Sequence, residues 1–165
     1  MSPDFEISFS KMQSEELEWF LGIRNQVRHN LHNTEEFDLA QCKVWYSTTP
    51  ILYFVVHAEI ASRVEKCGYF RVRFLDTIGI AEIGMDLDPE FQGRNVAYAA
   101  YKKFARFIRE SHDINGLTLR VRVENTRAIR LYERLGFENL GTYHAEEFSE
   151  YLMFSSVTNL VKLPT

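Results

Sequence analysis

The sequence predicts a mixed α/β domain, a sheet with strands in both directions and helices packed against it. Three observations lead there. Short segments that alternate apolar and polar residues, or that run β-branched and aromatic, recur along the chain. Two stretches of helical periodicity, at 96–111 and 125–135, each come directly after such a segment. Apolar residues make up 45% of the 165 residues and charged residues 25%, a globular composition. Helices interleaved with strands favour an α/β or α+β sheet over separate all-helical or all-strand layers.

Residues 5–9 place Phe5, Ile7 and Phe9 on one side of a strand. A helix opens near Ser14, with Leu17, Phe20, Leu21, Val27 and Leu31 at i, i+3, i+4 spacing. Asp38 is placed to cap a second short helix carrying Leu39, Cys42, Trp45 and Tyr46. Residues 51–57 (ILYFVVH) form a buried strand, Tyr69–Phe74 alternate as another, and Ile78–Leu87 make a third that breaks at Asp88-Pro89. From Val96 to about Ser111 the residues Ala97, Ala100, Tyr101, Phe104, Ala105 and Ile108 form an apolar face, with Lys102, Lys103, Arg106 and Arg109 turned away. Leu117, Leu119, Val121 and Val123 alternate as a strand. Asn125 then caps a helix whose Ala128, Leu131 and Leu135 face inward. Gly136-Phe137 stops it in a Schellman arrangement, glycine supplying the left-handed residue and phenylalanine the apolar one after it. Strands at about 139–145 and 149–156 close the chain. No repeat, low-complexity tract or linker interrupts it, so residues 1–165 are expected to form a single domain.

Composition excludes several functions. Nineteen Lys and Arg against 23 Asp and Glu leave a formal charge of −4, without the basic field that nucleic-acid binding asks for. Cys42 and Cys67 are too few for a disulfide framework or a structural zinc site. His29 and His32 have i, i+3 spacing but no third ligand, so no metal site is expected. The longest apolar run, Ile51–Val56, is far too short to span a bilayer. The first ten residues lack the layout of a secretory signal, and the expectation is a cytoplasmic protein with no membrane partner.

The chemistry-bearing stretch runs from Ile80 to Phe137. A strand breaks at a proline turn, Gln92-Gly93-Arg94-Asn95-Val96-Ala97 follows, and a helix begins. The N–H groups at a helix start lack intrahelical acceptors and sit at the positive end of the dipole, which suits a phosphate. Gly93 and Ala97 are small enough for a ligand to approach the backbone, and Arg94 adds charge. Further on, Asn125, Ala128, Leu131, Tyr132, Gly136 and Phe137 fit the pattern Asn-x-x-Ala-x-x-Leu-Tyr-x-x-x-Gly-Phe.

Together the two segments resemble the paired signature motifs of the GNAT acyl-CoA N-acetyltransferase superfamily. The first motif reads Gln/Arg-x-x-Gly-x-Gly/Ala, and Asn95 stands where the family has its central glycine. Asparagine is among the residues that best tolerate the positive φ such a position needs. The resemblance implies a GNAT-like fold with splayed central strands and acetyl-CoA as acyl donor, its pyrophosphate on the N–H groups of residues 92–97. Pantetheine would follow the strand edge ending at Leu87, and Asn125 would reach the cofactor arm. Tyr132 would stand near the thioester sulfur to stabilise or protonate the leaving thiolate. Glu82 would take the proton of the attacking amine through water, without a covalent enzyme intermediate and without a metal. A strand glutamate can also simply face water, and Asn125 has a helix to cap in any case.

In this superfamily the first two helices commonly wall the acceptor site. Arg24 and Arg28 lie one turn apart there, where they would grip a phosphate or carboxylate on the acceptor. The competing reading is that they snorkel to solvent or pair with Glu35 and Glu36. The text IRNQVRHNL and the ending GTYHAEEFSEYLMF resemble the branch holding ribosomal-protein N-terminal, spermidine and amino-sugar-nucleotide acetyltransferases. The two arginines favour a negatively charged acceptor such as a nucleotide-linked amino sugar, with a protein N-terminus close behind. The alternative is a non-catalytic acyl-CoA-binding or regulatory module, for which Asn95 is the hint. The C-terminal strands could pair across a homodimer.

Overall fold

A computed structural model describes residues 6–75 and 79–162. Seven strands form one sheet in the order β1-β2-β3-β4-β5-β7-β6. They are β1 (Glu6–Lys11), β2 (Leu52–Ile60), β3 (Arg63–Phe74), β4 (Ile80–Leu87), β5 (Gly116–Arg122), β6 (Glu138–His144) and β7 (Ser149–Ser156). The helices are α1 (Leu17–Val27), α2 (Leu39–Thr48), α3 (Val96–His112), α4 (Thr126–Arg134) and α5 (Val157–Lys162). The sheet is mixed, as expected: β4 and β5 run parallel, whereas β1–β2, β2–β3, β5–β7 and β6–β7 are antiparallel. The β4–β5 ladder joins Ile80–Glu82 to Gly116–Thr118 and stops there, short of the end of β4.

The chain divides into two compact units, one comprising the residues up to Arg73 with Met85–Ala97, the other Phe74–Gly84 with the residues from Tyr98 onward. In the first unit α1 and α2 pack together over one face of β2 and β3. Their shared core holds Met12, Leu17, Phe20, Leu21, Ile23, Cys42, Tyr53, Val55 and Tyr69. It is dominated by aromatic rings: Phe20 stacks on Trp45 at 6.1 Å and meets Tyr69 at 4.5 Å and Tyr53 at 5.1 Å. Asp38 caps α2 as predicted, in a reciprocal box with Gln41. A bulge in β3 opposite Val56 and His57 leaves Cys67 outside the register and puts Gly68 against the backbone of β4. A Cβ at Gly68 would stand 2.4 Å from the Asp86 carbonyl oxygen, so no larger residue fits there without parting the strands.

In the second unit Tyr101, Phe104, Ala105 and Ile108 of α3 are buried with Leu117 and Leu119 of β5, Met153 of β7 and Leu160 of α5. The C-terminus of α4 is the predicted Schellman motif. Gly136 has φ +83°, its N–H donates to the Glu133 carbonyl at 2.9 Å, and the Phe137 N–H donates to that of Tyr132 at 2.9 Å.

Four expectations need correction. The first helix ends at Val27 and continues only as a 3-10 turn, Arg28–Asn30, before Leu31 closes the segment in extended conformation. β3 begins at Arg63, because its N-terminal half is an exposed, polar hairpin arm without an apolar pattern to betray it. The alternation predicted for 117–123 gives way to unbroken burial from Gly116 to Leu119, and the strand ends before Val123. β7 covers β5 as a neighbour, and Thr118 is buried at no loss because its hydroxyl donates to the Met153 carbonyl at 2.9 Å. α5 was not anticipated; it starts where the Val157 N–H bonds to the Asn115 carbonyl at 2.8 Å. Phe5 and Ile78 lie outside the described residues.

Candidate active site

In the first unit, the turn from β4 into α3 is built from local hydrogen bonds. Asp88 accepts from the Glu90 N–H at 2.9 Å and so starts the 3-10 turn Pro89–Phe91, where proline needs no donor. The Gln92 side-chain amide reaches back to the Leu87 carbonyl at 3.1 Å, and buried Phe91 anchors the turn. Gly93 and Asn95 then take φ +77° and +66°, after which buried Val96 begins the seventeen residues of α3. Successive residues in and out of the left-handed region aim neighbouring amides to one side, the geometry of an anion-binding concavity at a helix start. Gly93 and Arg94 are exposed to whatever approaches, while Ala97 is half-buried. Asn95 thus adopts a left-handed backbone conformation, one that asparagine tolerates better than most non-glycine residues.

The two arginines of the first helix separate. Arg24 is buried, and its guanidinium donates to the carbonyls of Glu35 and Asn33, the latter at 2.8 Å. It also donates to Asn25 Oδ1 at 3.1 Å and lies over the Phe37 ring at 4.0 Å. Burial lowers its pKa. Arg28 is at the end of α1 with a half-exposed side chain; it donates to the Asn25 carbonyl at 2.7 Å and faces the Glu36 carboxylate at 3.8 Å. The pairing with this acidic loop that competed with acceptor binding is therefore present, through the backbone for Arg24 and through a side chain for Arg28.

A polar set that sequence reading did not single out lies under α1. The Tyr69 hydroxyl donates to Asp86 Oδ2 at 2.7 Å, and Arg71 Nη2 stands 3.6 Å from Asp86 Oδ1. Burial drives the Tyr69 phenol well above its ordinary pKa, and Asp86 reinforces the shift. The available signal was the period-two spacing of Glu82 and Asp86 on one face of β4 together with Tyr69 and Arg71 on β3.

In the second unit Tyr132 is buried on α4, and its phenol oxygen accepts from the Tyr101 hydroxyl at 3.3 Å. The two rings meet edge to face at 5.6 Å, and Phe137 closes the cluster at 5.8 Å from Tyr132. The phenol is thus oriented by its neighbours. Asn125 caps α4 by accepting the Ala128 N–H at 3.2 Å. Of the residues expected to face inward on this helix, Leu135 is fully buried, whereas Ala128 and Leu131 are only half-buried.

Glu82 lies on the β4 face that carries Thr118 and Arg120 on β5. Its Oε2 is 3.4 Å from Arg120 Nε. Arg120 Nη1 is 3.8 Å from Oε2 of Glu150 on β7, a carboxylate that is almost fully buried. Burial raises the pKa of Glu150, against the pull of Arg120 and Arg122. Among the described residues no group of three His, Cys, Asp or Glu could hold a metal ion. Among them also, no helix is long and apolar enough to cross a membrane.

The profile of the acetyltransferase (GNAT) family matches residues 12–137, more than half of the chain. The chain belongs to that family. It is an N-acetyltransferase that takes the acetyl group from acetyl-CoA. No curated protein matches it in sequence. Among solved structures, a domain from Methanocaldococcus jannaschii DSM 2661 aligns with TM-score 0.79 and 17% identity, over 93% of this chain and 99% of that one. Spermidine N-acetyltransferase from Vibrio cholerae, in complex with CoA and spermine, aligns with TM-score 0.78 and 17% identity, over 95% of this chain and 99% of that one. At such identity these likenesses speak to the fold. Before α3 stand two residues with positive φ, Gly93 and Asn95, and Gly93 and Arg94 are exposed.

Proposed function

We propose that this acetyltransferase holds the pyrophosphate of acetyl-CoA on the turn Gln92, Gly93, Arg94, Asn95, Val96 and Ala97, and acetylates a primary amine by direct attack. The observation that carries the reading is the left-handed backbone at Gly93 and Asn95, immediately before α3. Acetyl-CoA supplies an activated thioester carbonyl. The pantetheine arm is assigned to the Leu87 end of β4, and Asn125, at the head of α4 in the second unit, is assigned to the cofactor as well. Glu82 accepts the proton of the attacking amine through water, and the Tyr132 phenol gives a proton to the departing thiolate. Tyr101 supports that role, because its hydroxyl donates to the Tyr132 oxygen and leaves the Tyr132 proton directed elsewhere.

For the acceptor, Arg28 favours a negatively charged amine, a nucleotide-linked amino sugar ahead of a protein N-terminus. Arg28 is the one with a half-exposed guanidinium to offer, and Arg24 acts by holding the 33–37 loop. The solved relative with spermine supports a polyamine as the rival acceptor. The reading places the enzyme in the cytoplasm, as one domain, with no nucleic-acid partner.

The test starts with melting temperature. A ligand at a hundredfold its Kd stabilises the native state by about 2.7 kcal/mol, or about 5–10 °C for a chain of this size. Acetyl-CoA and free CoA should both produce such a rise. CoA thiol release should then follow addition of an amino-sugar nucleotide, an N-terminal peptide or spermidine, and should fall at least tenfold in Tyr132→Phe and in Glu82→Gln. No rise in wild type or in Asn95→Gly would refute the cofactor site, and full turnover in both active-site variants would refute the two catalytic roles.

A further inference from the structure

Two carboxylates and one guanidinium form a row across three strands of the second unit: Glu82 on β4, Arg120 on β5 and Glu150 on β7. The register explains the row. Glu82 pairs with Thr118, and Arg122 pairs with Glu150, so Glu82, Thr118, Arg120, Arg122 and Glu150 share one face of the sheet. Arg120 reaches both carboxylates, with Nε 3.4 Å from Glu82 and Nη1 3.8 Å from Glu150. The three differ in exposure. The Glu150 side chain is 2% exposed, that of Glu82 23% and that of Arg120 35%. A second cation also acts on Glu150: Arg122, its register partner on β5, whose guanidinium lies over the Phe148 ring at 4.2 Å.

A guanidinium 3.4 Å from a general base would, acting alone, hold that base in its anionic form and weaken it as a proton acceptor. Here the same guanidinium is shared with a second carboxylate that water barely reaches. We infer that Glu150 is a positioning residue for the transfer reaction: it draws on the charge of Arg120 and thereby sets how strongly Glu82 can take the proton of the amine. Glu150 does not touch the substrate in this scheme. It acts through Arg120, whose guanidinium reaches both carboxylates. Burial has already raised the pKa of Glu150, Arg120 and Arg122 lower it, and the charge of Glu82 raises it. Arg120 and Arg122 face it from β5 and Glu82 from β4, and on β6 its register partner is Tyr143. The inference rests on the reading of Glu82 as the base, and its test separates the two.

The first readout needs no acceptor. Carbon-detected NMR of the Glu150 side-chain carboxyl is followed against pH in wild type, Glu82→Gln and Arg120→Gln. The Glu150 midpoint should fall by about half a unit when the charge of Glu82 is removed and rise by about one unit when Arg120 is lost. The second readout is the acid limb of thiol release from acetyl-CoA with the acceptor found above. Glu150→Gln should move that limb to lower pH and reduce the plateau several-fold, Arg120→Gln should move it to higher pH, and Glu150→Asp should restore the wild-type position. Variants that merely loosened the fold would not shift one limb in opposite directions. If Glu150 titrates identically in all three proteins, or if both limbs move the same way, the coupling is overturned. If the midpoints move as stated but Glu82→Gln keeps the whole acid limb, the coupling stands and the base is another group.

Discussion

Replacement of Arg24 by alanine distinguishes a guanidinium that holds a loop from one that grips substrate. The wild-type side chain makes two bonds to backbone carbonyls, at Asn33 and Glu35, and one to Asn25, and it stacks on Phe37. Hydrogen bonds from a charged donor contribute about 1.5–3 kcal/mol each, and the cation–ring contact about 1 kcal/mol. The carbonyls belong to the exposed residues Asn33 and Glu35, so water recovers much of what they lose. The net expectation is a destabilisation of about 2–3 kcal/mol, read as a shift in the urea midpoint with an unchanged slope. Arg28→Ala should change stability by less than about 0.5 kcal/mol, since its ion pair is 3.8 Å long and its side chain is 42% exposed. If Arg24→Ala loses less than about 1 kcal/mol and yet abolishes turnover at saturating acetyl-CoA, the reasoning fails and Arg24 contacts the acceptor.

Three further outcomes follow from the geometry. Gly68→Ala should cost about 3 kcal/mol or more, because the new methyl meets backbone of β4 on one side and cannot be relieved by a rotamer; a melting curve within 2 °C of wild type would refute this. Asn125→Ala should lower stability by about 1 kcal/mol by removing the α4 cap, while Asn125→Asp should retain the cap and most of the stability, checked by urea titration. His57, whose Nε2 lies 2.8 Å from the Ser10 hydroxyl, has its pKa lowered from 6.5 by burial. The unfolded chain therefore binds the extra proton first, so native stability rises with pH through the window below 6.5 and is lost as pH falls through the lower folded value. That slope should flatten in His57→Gln.

How much could be read beforehand depended on how local its cause was. The Asp38 cap, the Gly136 stop and the positive φ at Asn95 are each decided within four residues, and the sequence displays such patterns directly. The burial of Thr118 depends on β7 lying beside β5, a pairing between residues more than thirty apart, and nothing near Thr118 announces it. Glu150 was passed over for the same reason: the ending EEFSEYLMF offers several equivalent acids, and only the register with Arg122 singles one out. Arg24 and Arg28 stand out in the sequence as a pair one turn apart, and nothing there separates the buried one from the half-exposed one. The carbonyl partners of Arg24 sit in a loop without periodicity, where a backbone acceptor leaves no mark on residue type.

The two cysteines have a practical bearing on every assay that counts released CoA. Cys42 and Cys67 are both free and buried in the first unit, and burial pushes the Cys42 thiol up and that of Cys67 to about 12. Cys67 is further occupied as a donor to the Val56 carbonyl at 3.4 Å. A disulfide reagent added to the native enzyme meets no thiolate on the protein, so the colour it develops belongs to the cofactor product alone. The same reagent becomes a clock for the first unit once that unit opens: two protein thiols appear, at a rate set by local unfolding and without any engineered label.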